Sequence, residues 1–271
     1  MPIKCQIQFE PIGQEKFHAL DRVVMGHAFQ IHNSIGRFCD ERIYQDELGL
    51  RCEDSGIPCL RETEIRAIHQ DFSKSYFLDL VAGGGCIYEL KAADSISPAH
   101  QNQLIHYLML SGCHHGKLLN FRPRSVQSRF VSTTLNLGVR RTPRFTESDF
   151  DRFDPFALAL RDTLSAILED WGAHLDLNLY REALLHFTGG GENGVQPVAL
   201  RSGGRMIGFQ RMCLLNPDCA WHLSAMKTHL DSHEKHIRRL LHHTKLKQLH
   251  WINLNRNDIL LRTIRNDSVT K

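Results

Sequence analysis

The stretch YFLDLVAGGGCIYELKA, residues 76–92, is apolar on both sides of three consecutive glycines, with Asp79 before them and Glu89, Leu90 and Lys91 after them. A glycine link this short joins antiparallel strands and cannot carry the crossover that a parallel pair needs. The stretch therefore predicts a hairpin. Side chains alternate along a strand, so Glu89 and Lys91 share one face while Leu90 points to the core. Paired strands set side chains next to each other across the ladder, which places Asp79 and Glu89 to converge.

Working outward, residues 57–68 (IPCLRETEIRAI) read as a strand before a turn at DFSK, making an antiparallel meander of three strands. Upstream, KFHALDRVVMGHAFQIHN repeats apolar residues at helical spacing, and a second short helix fits CDERIYQDELGLRCEDSG. Downstream, Ser97 and Pro98 suit an N-cap and a first helical position for a helix ending near Gly112. HGKLLNF (115–121) reads as a buried strand and QSRFVSTTL (127–135) as an edge strand. The expected order is α, α, β, β, β, α, β, a mixed sheet flanked by helices. Residues 136–152, rich in Arg, Thr, Pro and Asp, lack periodicity and read as a linker before a second helical region.

Shifting the sequence by 133 positions lays CIYELKA over CAWHLSA, His100 over His233, Leu108 over Leu241, LLNF over WINL and Arg129 over Arg262. A slightly different shift pairs IYQDELGL with LYREALLH. A gap-free match through strand, helix and strand predicts a repeated unit. Under it Glu89 faces His222, Lys91 faces Ser224 and Asp79 faces Met212, so the polar set belongs to the first copy alone.

With 271 residues the chain has room for one large domain or two smaller ones. No stretch approaches the roughly 20 apolar residues of a membrane-spanning helix, and the first residues lack the apolar core of a secretory signal. The expectation is a cytoplasmic protein with no membrane partner. Its eight cysteines form no Cys-x-x-Cys pair and read as reduced, mostly buried thiols. His233 and His236 are three apart, without the spacing of a zinc protease, and fit a solvated face. The net charge of +3 is small but uneven, because no acidic residue lies between Asp94 and Glu147 while Lys117, Arg122, Arg124 and Arg129 do. A second basic run spans residues 235–247. Such tracts suit phosphate contacts, so Arg122, Arg124 and Arg129 are candidate nucleic-acid-binding residues.

Two carboxylates on adjacent strands are hard oxygen ligands suited to Mg²⁺ or Mn²⁺, and the Leu90 carbonyl offers a further oxygen. A neighbouring lysine can orient water or stabilise developing negative charge, and a cation can activate that water. Asp79, Glu89 and Lys91 therefore fit phosphodiester hydrolysis. A surface ion pair is the bland alternative, but charges inside an otherwise apolar strand are costly unless used or paired. On the following helix Gln103 and Tyr107 share a face, as Glu41 and Tyr44 do upstream.

In this order, IHNSIG, DERIYQDEL, YFLDLV, CIYELKAADSISPAHQNQLIHYLMLSG and GKLLNF resemble the GxxExxY protein family, a branch of the PD-(D/E)xK nuclease-like superfamily. The resemblance covers roughly residues 17–135 and implies a restriction-endonuclease-like αβββαβ core. It gives Asp79, Glu89 and Lys91 the superfamily's acidic and lysine positions, with Gln103 following on the helix. Glu41 and Tyr44 match the Glu and Tyr of the naming motif, and Glu41 looks like an additional metal ligand. Phe38 stands where the motif has its first glycine, and Leu78 where the superfamily has its proline. The resulting expectation is a nuclease-like domain at 1–135, the linker at 136–152, and a degenerate repeat at 153–271 without the catalytic set. The chain would then be a monomer acting on DNA or RNA, its repeat forming an intramolecular pseudo-dimer. The other class in view is a nucleic-acid-binding or assembly module that keeps the fold and cleaves nothing.

Overall fold

A computed structural model describes residues 2–189 and 194–269. The chain divides into two compact units, Met1–Leu137 and Gly138–Lys271. The first runs β1 (Ile3–Cys5), α1 (Gln14–Ile35), α2 (Glu41–Asp54), β2 (Cys59–His69), β3 (Phe72–Ala82), β4 (Cys86–Lys91), α3 (Pro98–Ser111), β5 (His115–Asn120) and β6 (Gln127–Ser132). These strands form one sheet in the order β1-β2-β3-β4-β5-β6. The pairs β2–β3 and β3–β4 are antiparallel, β4–β5 is parallel, and β5–β6 is antiparallel again. Only the parallel pair needs a crossover, and α3 supplies it.

Each boundary has a local cause. In α1 the buried residues Phe17, Asp21, Val24, Ala28 and Ile31 recur every three or four positions, and Gly36 ends the helix at φ 79°. Ser97 caps α3 in a reciprocal pair with His100, ahead of Pro98. The three glycines of the hairpin are required for two reasons. Gly83 and Gly84 hold positive φ, 57° and 74°, and a Cβ on Gly85 would lie 2.0 Å from the Glu10 carbonyl oxygen. Tyr88, Leu90, Leu119 and Phe121 pack in one core cluster with Phe17, Val24, Tyr44 and Leu48 of α1 and α2. By alternation Glu89 and Lys91 turn to the opposite face.

A short helix α4 (Leu137–Arg140) begins at the unit boundary, and the second unit continues with β7 (Arg144–Asp149), α5 (Pro155–Trp171), α6 (Leu177–Phe187), β8 (Val195–Ser202), β9 (Arg205–Asn216), β10 (Cys219–Ser224), α7 (Leu230–His242), β11 (Gln248–Asn255) and β12 (Asp258–Arg265). The expected linker at 136–152 is thus corrected, because Arg144–Asp149 pairs in parallel with β12 as a sheet strand. Its polar sequence suits an edge, where only one side is paired. The turn expected at DFSK lies at residues 70–71, and Phe72 already begins β3. The strand β1 has no counterpart in the sequence reading.

From its first long helix onward, the second unit repeats the αβββαβ order of the first. Its sheet order, β7-β12-β11-β10-β9-β8, keeps the five repeated strands but carries its additional strand at the opposite edge. Backbone-fixing side chains recur as well. The Tyr44 hydroxyl donates to the Gly36 carbonyl and accepts from the Cys39 amide, at 3.0 and 3.1 Å. Tyr180 does the same with Gly172 and Leu175 at 2.6 and 3.2 Å. Asn120 bonds both backbone groups of Ala93, and Asn253 both of Met226.

These tyrosines tie α1 to α2 and α5 to α6. Tyr44→Phe and Tyr180→Phe should each destabilise their unit by about 1–3 kcal/mol, since each strands a carbonyl and an amide. Urea unfolding followed by far-ultraviolet circular dichroism reads the change. Losses below about 0.5 kcal/mol in both variants would show that water replaces the hydroxyl.

Candidate active site

Asp79 lies at a break in two ladders. On one side the register pairs Arg61 with Leu80 and Thr63 with Leu78, leaving Glu62 and Asp79 between them unpaired. Glu62 takes φ 52° there, a conformation uncommon for a residue with a side chain. On the other side the β3–β4 pairing stops at Leu80 and Tyr88, one step short of Asp79 and Glu89. The strands part where the two carboxylates would meet, and β9 and β10 part at the same place before Met212 and His222. The Asp79 carboxylate then takes the place of a backbone acceptor, its Oδ2 accepting the Leu90 amide at 2.7 Å. The Asp79 carbonyl accepts from Gln45 Nε2 at 2.6 Å.

Lys91 gathers the acidic residues. Its Nζ lies 2.8 Å from Glu89 Oε1, 3.3 Å from Glu41 Oε1 and 3.9 Å from Asp79 Oδ2. Three carboxylates from α2, β3 and β4 thus surround one ammonium. The Glu89 side chain is 1% exposed, and its Oε2 is buried with no hydrogen-bond partner. Burial pushes Asp79 up to about 6, against the pull of Lys91 and the Leu90 amide. Burial, and then the charge of Asp79, pushes Glu89 up to about 8. Desolvation works to lower the Lys91 pKa, but Glu89, Asp79 and Glu41 outweigh it and hold the ammonium above its ordinary value.

These groups fit a divalent cation. A buried carboxylate oxygen without a donor is costly on its own and is satisfied by a metal ion. The donors are all oxygens, the set that suits Mg²⁺ or Mn²⁺. The Lys91 carbonyl accepts from Phe121 on the β5 side, so strand alternation turns the Leu90 carbonyl the other way, toward the Asp79 side.

The remaining sequence candidates occupy the surroundings. Gln103 donates to the Tyr107 hydroxyl at 3.0 Å, and Tyr107 is raised by burial and then by the charges of Glu89 and Asp79. Tyr44 stacks on Phe121 at 4.4 Å and serves the helix junction, away from the carboxylates. Arg122 donates to the Ala92 carbonyl beside the end of β4. Arg124 and Arg129 are exposed. Gln45 escaped the sequence reading because a buried glutamine on a helix carries no signal of the strand break it serves. At the 133-residue spacing, Met212 replaces Asp79 and pairs regularly with Gln196. His222 replaces Glu89 and meets His233 at 3.2 Å. Burial lowers His222 to about 4, so the expected solvated, partly charged histidine face includes a largely sequestered neutral histidine.

An acid whose pKa is raised by folding loses stability as pH climbs from its unfolded value, roughly 4.3, through its folded value, about 8 for Glu89. The cation-free protein should therefore weaken over that window. Glu89→Gln removes part of the slope and should be more stable at pH 8 by about 1 kcal/mol. Mn²⁺ should raise the melting temperature of the wild type more at pH 8 than at pH 6, where protons compete, and leave the variant unmoved. A variant less stable than wild type at pH 8 would contradict the assignment.

Glu41, Asp79, Glu89, Lys91 and Gln103 all lie in the first unit. No curated protein and no solved structure matches the chain. Residues 18–131, which contain Glu41, Asp79, Glu89, Lys91 and Gln103, match the family model described as the PD-(D/E)XK nuclease superfamily, and the first unit has the mixed α/β fold consistent with it.

Proposed function

We propose that the first unit is a divalent-metal-dependent nuclease that hydrolyses phosphodiester bonds of DNA or RNA. The observation that carries this reading is the buried Glu89 oxygen without a donor, set among Asp79, Glu41 and Lys91 within the matched segment. Asp79, Glu89, Glu41 and the Leu90 carbonyl would hold Mg²⁺ or Mn²⁺. Such an ion, when bound, neutralises phosphate charge and makes water a usable nucleophile near neutral pH.

Lys91 enters as a cation, since its carboxylate neighbours hold it protonated. It is therefore suited to bind a phosphate oxygen and stabilise the charge that develops there, rather than to abstract a proton from water. The Gln103–Tyr107 pair orients the approach along α3, and Tyr44 supports the site indirectly by fixing α2, which carries Glu41. Arg122, Arg124 and Arg129 would contact the nucleic-acid backbone.

Within the superfamily we assign the unit to the GxxExxY branch, on Glu41, Tyr44 and the ELKA segment. We read the second unit as a degenerate nuclease-like repeat, so that a monomer carries its own second copy. Its eight free thiols suit a reducing compartment, and we place the protein in the cytoplasm. None of the described helices is long and apolar enough to cross a membrane.

The test is cleavage of single- and double-stranded DNA and RNA with Mg²⁺ or Mn²⁺. Glu89→Ala and Lys91→Ala should each lower the rate by at least about 10²-fold. Arg122→Ala should weaken binding at all sequences and reduce the salt slope by about 1. Binding without cleavage under every condition would favour the non-catalytic module, and cleavage surviving both substitutions would remove the site.

A further inference from the structure

A second set of ligand-type side chains converges in the other unit. Asp154, Cys219 and His250 each offer a ligand atom, and these atoms all lie within 4.8 Å of one another. Cys219 and His250 are 2% and 1% exposed, and the Asp154 side chain is 12% exposed. Rigid elements set all three. Asp154 caps α5, its Oδ1 accepting the Phe156 amide at 2.9 Å. Cys219 opens β10 and pairs with Gln248, two residues before His250 on β11, so Cys219 and His250 face the same way.

We propose that Asp154, Cys219 and His250 form a binding site for a borderline transition-metal cation of the zinc type. The donor set is one imidazole, one thiolate and one carboxylate, which favours such a cation over Mg²⁺. With ligand distances of about 2.0–2.3 Å, separations under 4.8 Å close by small side-chain rotations. Asp154, Cys219 and Gln248 line a cleft of about 660 Å³ that gives the ion a way in and a water a fourth position.

An outer shell is in place. His250 Nδ1 lies 3.0 Å from Thr263 Oγ1, and Gln248 Nε2 donates to Asp154 Oδ2 at 2.6 Å. Before binding, His250 Nε2 donates to Asp154 Oδ2 at 3.1 Å. On binding, the imidazole changes tautomer, Nδ1–H donates to Thr263, and Nε2 turns its lone pair to the metal. The thiol proton passes to solvent, so one proton is released per ion.

The first unit provides a control. At the 133-residue spacing Cys86 replaces Cys219, but Lys117 replaces His250 and pairs with Asp21 at 2.5 Å. A lysine held in an ion pair offers no lone pair, so the site belongs to the second unit and is independent of the nuclease reading.

The test uses the full chain with Mg²⁺ present throughout. Co²⁺ titration should give one equivalent of thiolate-to-cobalt charge-transfer absorption, which Zn²⁺ then displaces. Cys219→Ser should abolish the band. Asp154→Asn, which keeps the helix cap, should weaken binding by at least about tenfold. Cys86→Ser should leave the band intact. No band in the wild type, or a band that survives both Cys219→Ser and Asp154→Asn, would overturn the proposal and leave Asp154, Gln248, His250 and Thr263 as a hydrogen-bonded network.

Discussion

A carboxylate sealed inside a central strand sets the terms for the first unit, because an isolated buried charge costs more than any one hydrogen bond returns. Glu89 is that carboxylate, and its neighbours answer to it. Lys91, two residues along the same face, supplies the opposite charge at 2.8 Å. At Asp79 the strand β3 is unpaired with both β2 and β4, and Gln45 takes up the Asp79 carbonyl. The distortion of Glu62 at φ 52° belongs to the same break. Strain and buried charge at one place are hallmarks of a site that folding alone would not select.

Comparison of the two units separates what the fold needs from what it tolerates losing. The tyrosine that pins two helices and the asparagine that clamps the chain after the central strand recur at equivalent places. A hydroxyl at the end of the crossover helix recurs too, Ser111 donating to Leu108 and Thr244 to Leu241. All of these satisfy backbone groups that either copy would otherwise bury unpaired. Of the charged set only Asp79 does so, through the Leu90 amide, while Glu41 and Glu89 accept from Lys91. Where Met212 replaces Asp79 the β8–β9 ladder runs on unbroken, but the β9–β10 pairing stops one step short of Met212 and His222 just as β3–β4 stops short of Asp79 and Glu89, so only the break toward β2 is particular to the charged copy.

The sequence made the central elements legible because their signals are local. Glycines demanded by a hairpin, a serine and proline opening a helix, and apolar positions at helical spacing each report on their own few residues. The strands β1 and β7 carry no such signal. Each is defined by a partner more than 50 residues away, Ala67 for Ile3 and Asp258 for Arg144, and an edge strand needs only one buried side. The residues of the linker expectation are polar for that reason. Gln45 and the Glu62 distortion were hidden likewise, since both exist only in relation to a break that forms after the sheet does.

The three candidate arginines are not equivalent once the sheet is laid out. Arg129 pairs with Leu118, which pairs with Glu89, so one row crosses β6, β5 and β4 and puts Arg129 on the face of the carboxylates. Two strand spacings separate it from Glu89, about 10 Å. Yet β6 is also an open edge, and an exposed cation there discourages another strand from pairing. Arg129 thus has a structural reason to be basic before any substrate is considered. Arg124 sits on an exposed loop with no tie to the row. Arg122 has the stronger claim, because its Nε bond to Ala92 anchors it beside the end of the strand that carries Lys91. That bond fixes the origin of the guanidinium one residue beyond Lys91, and a cation held in place loses less freedom on binding than one on a free loop.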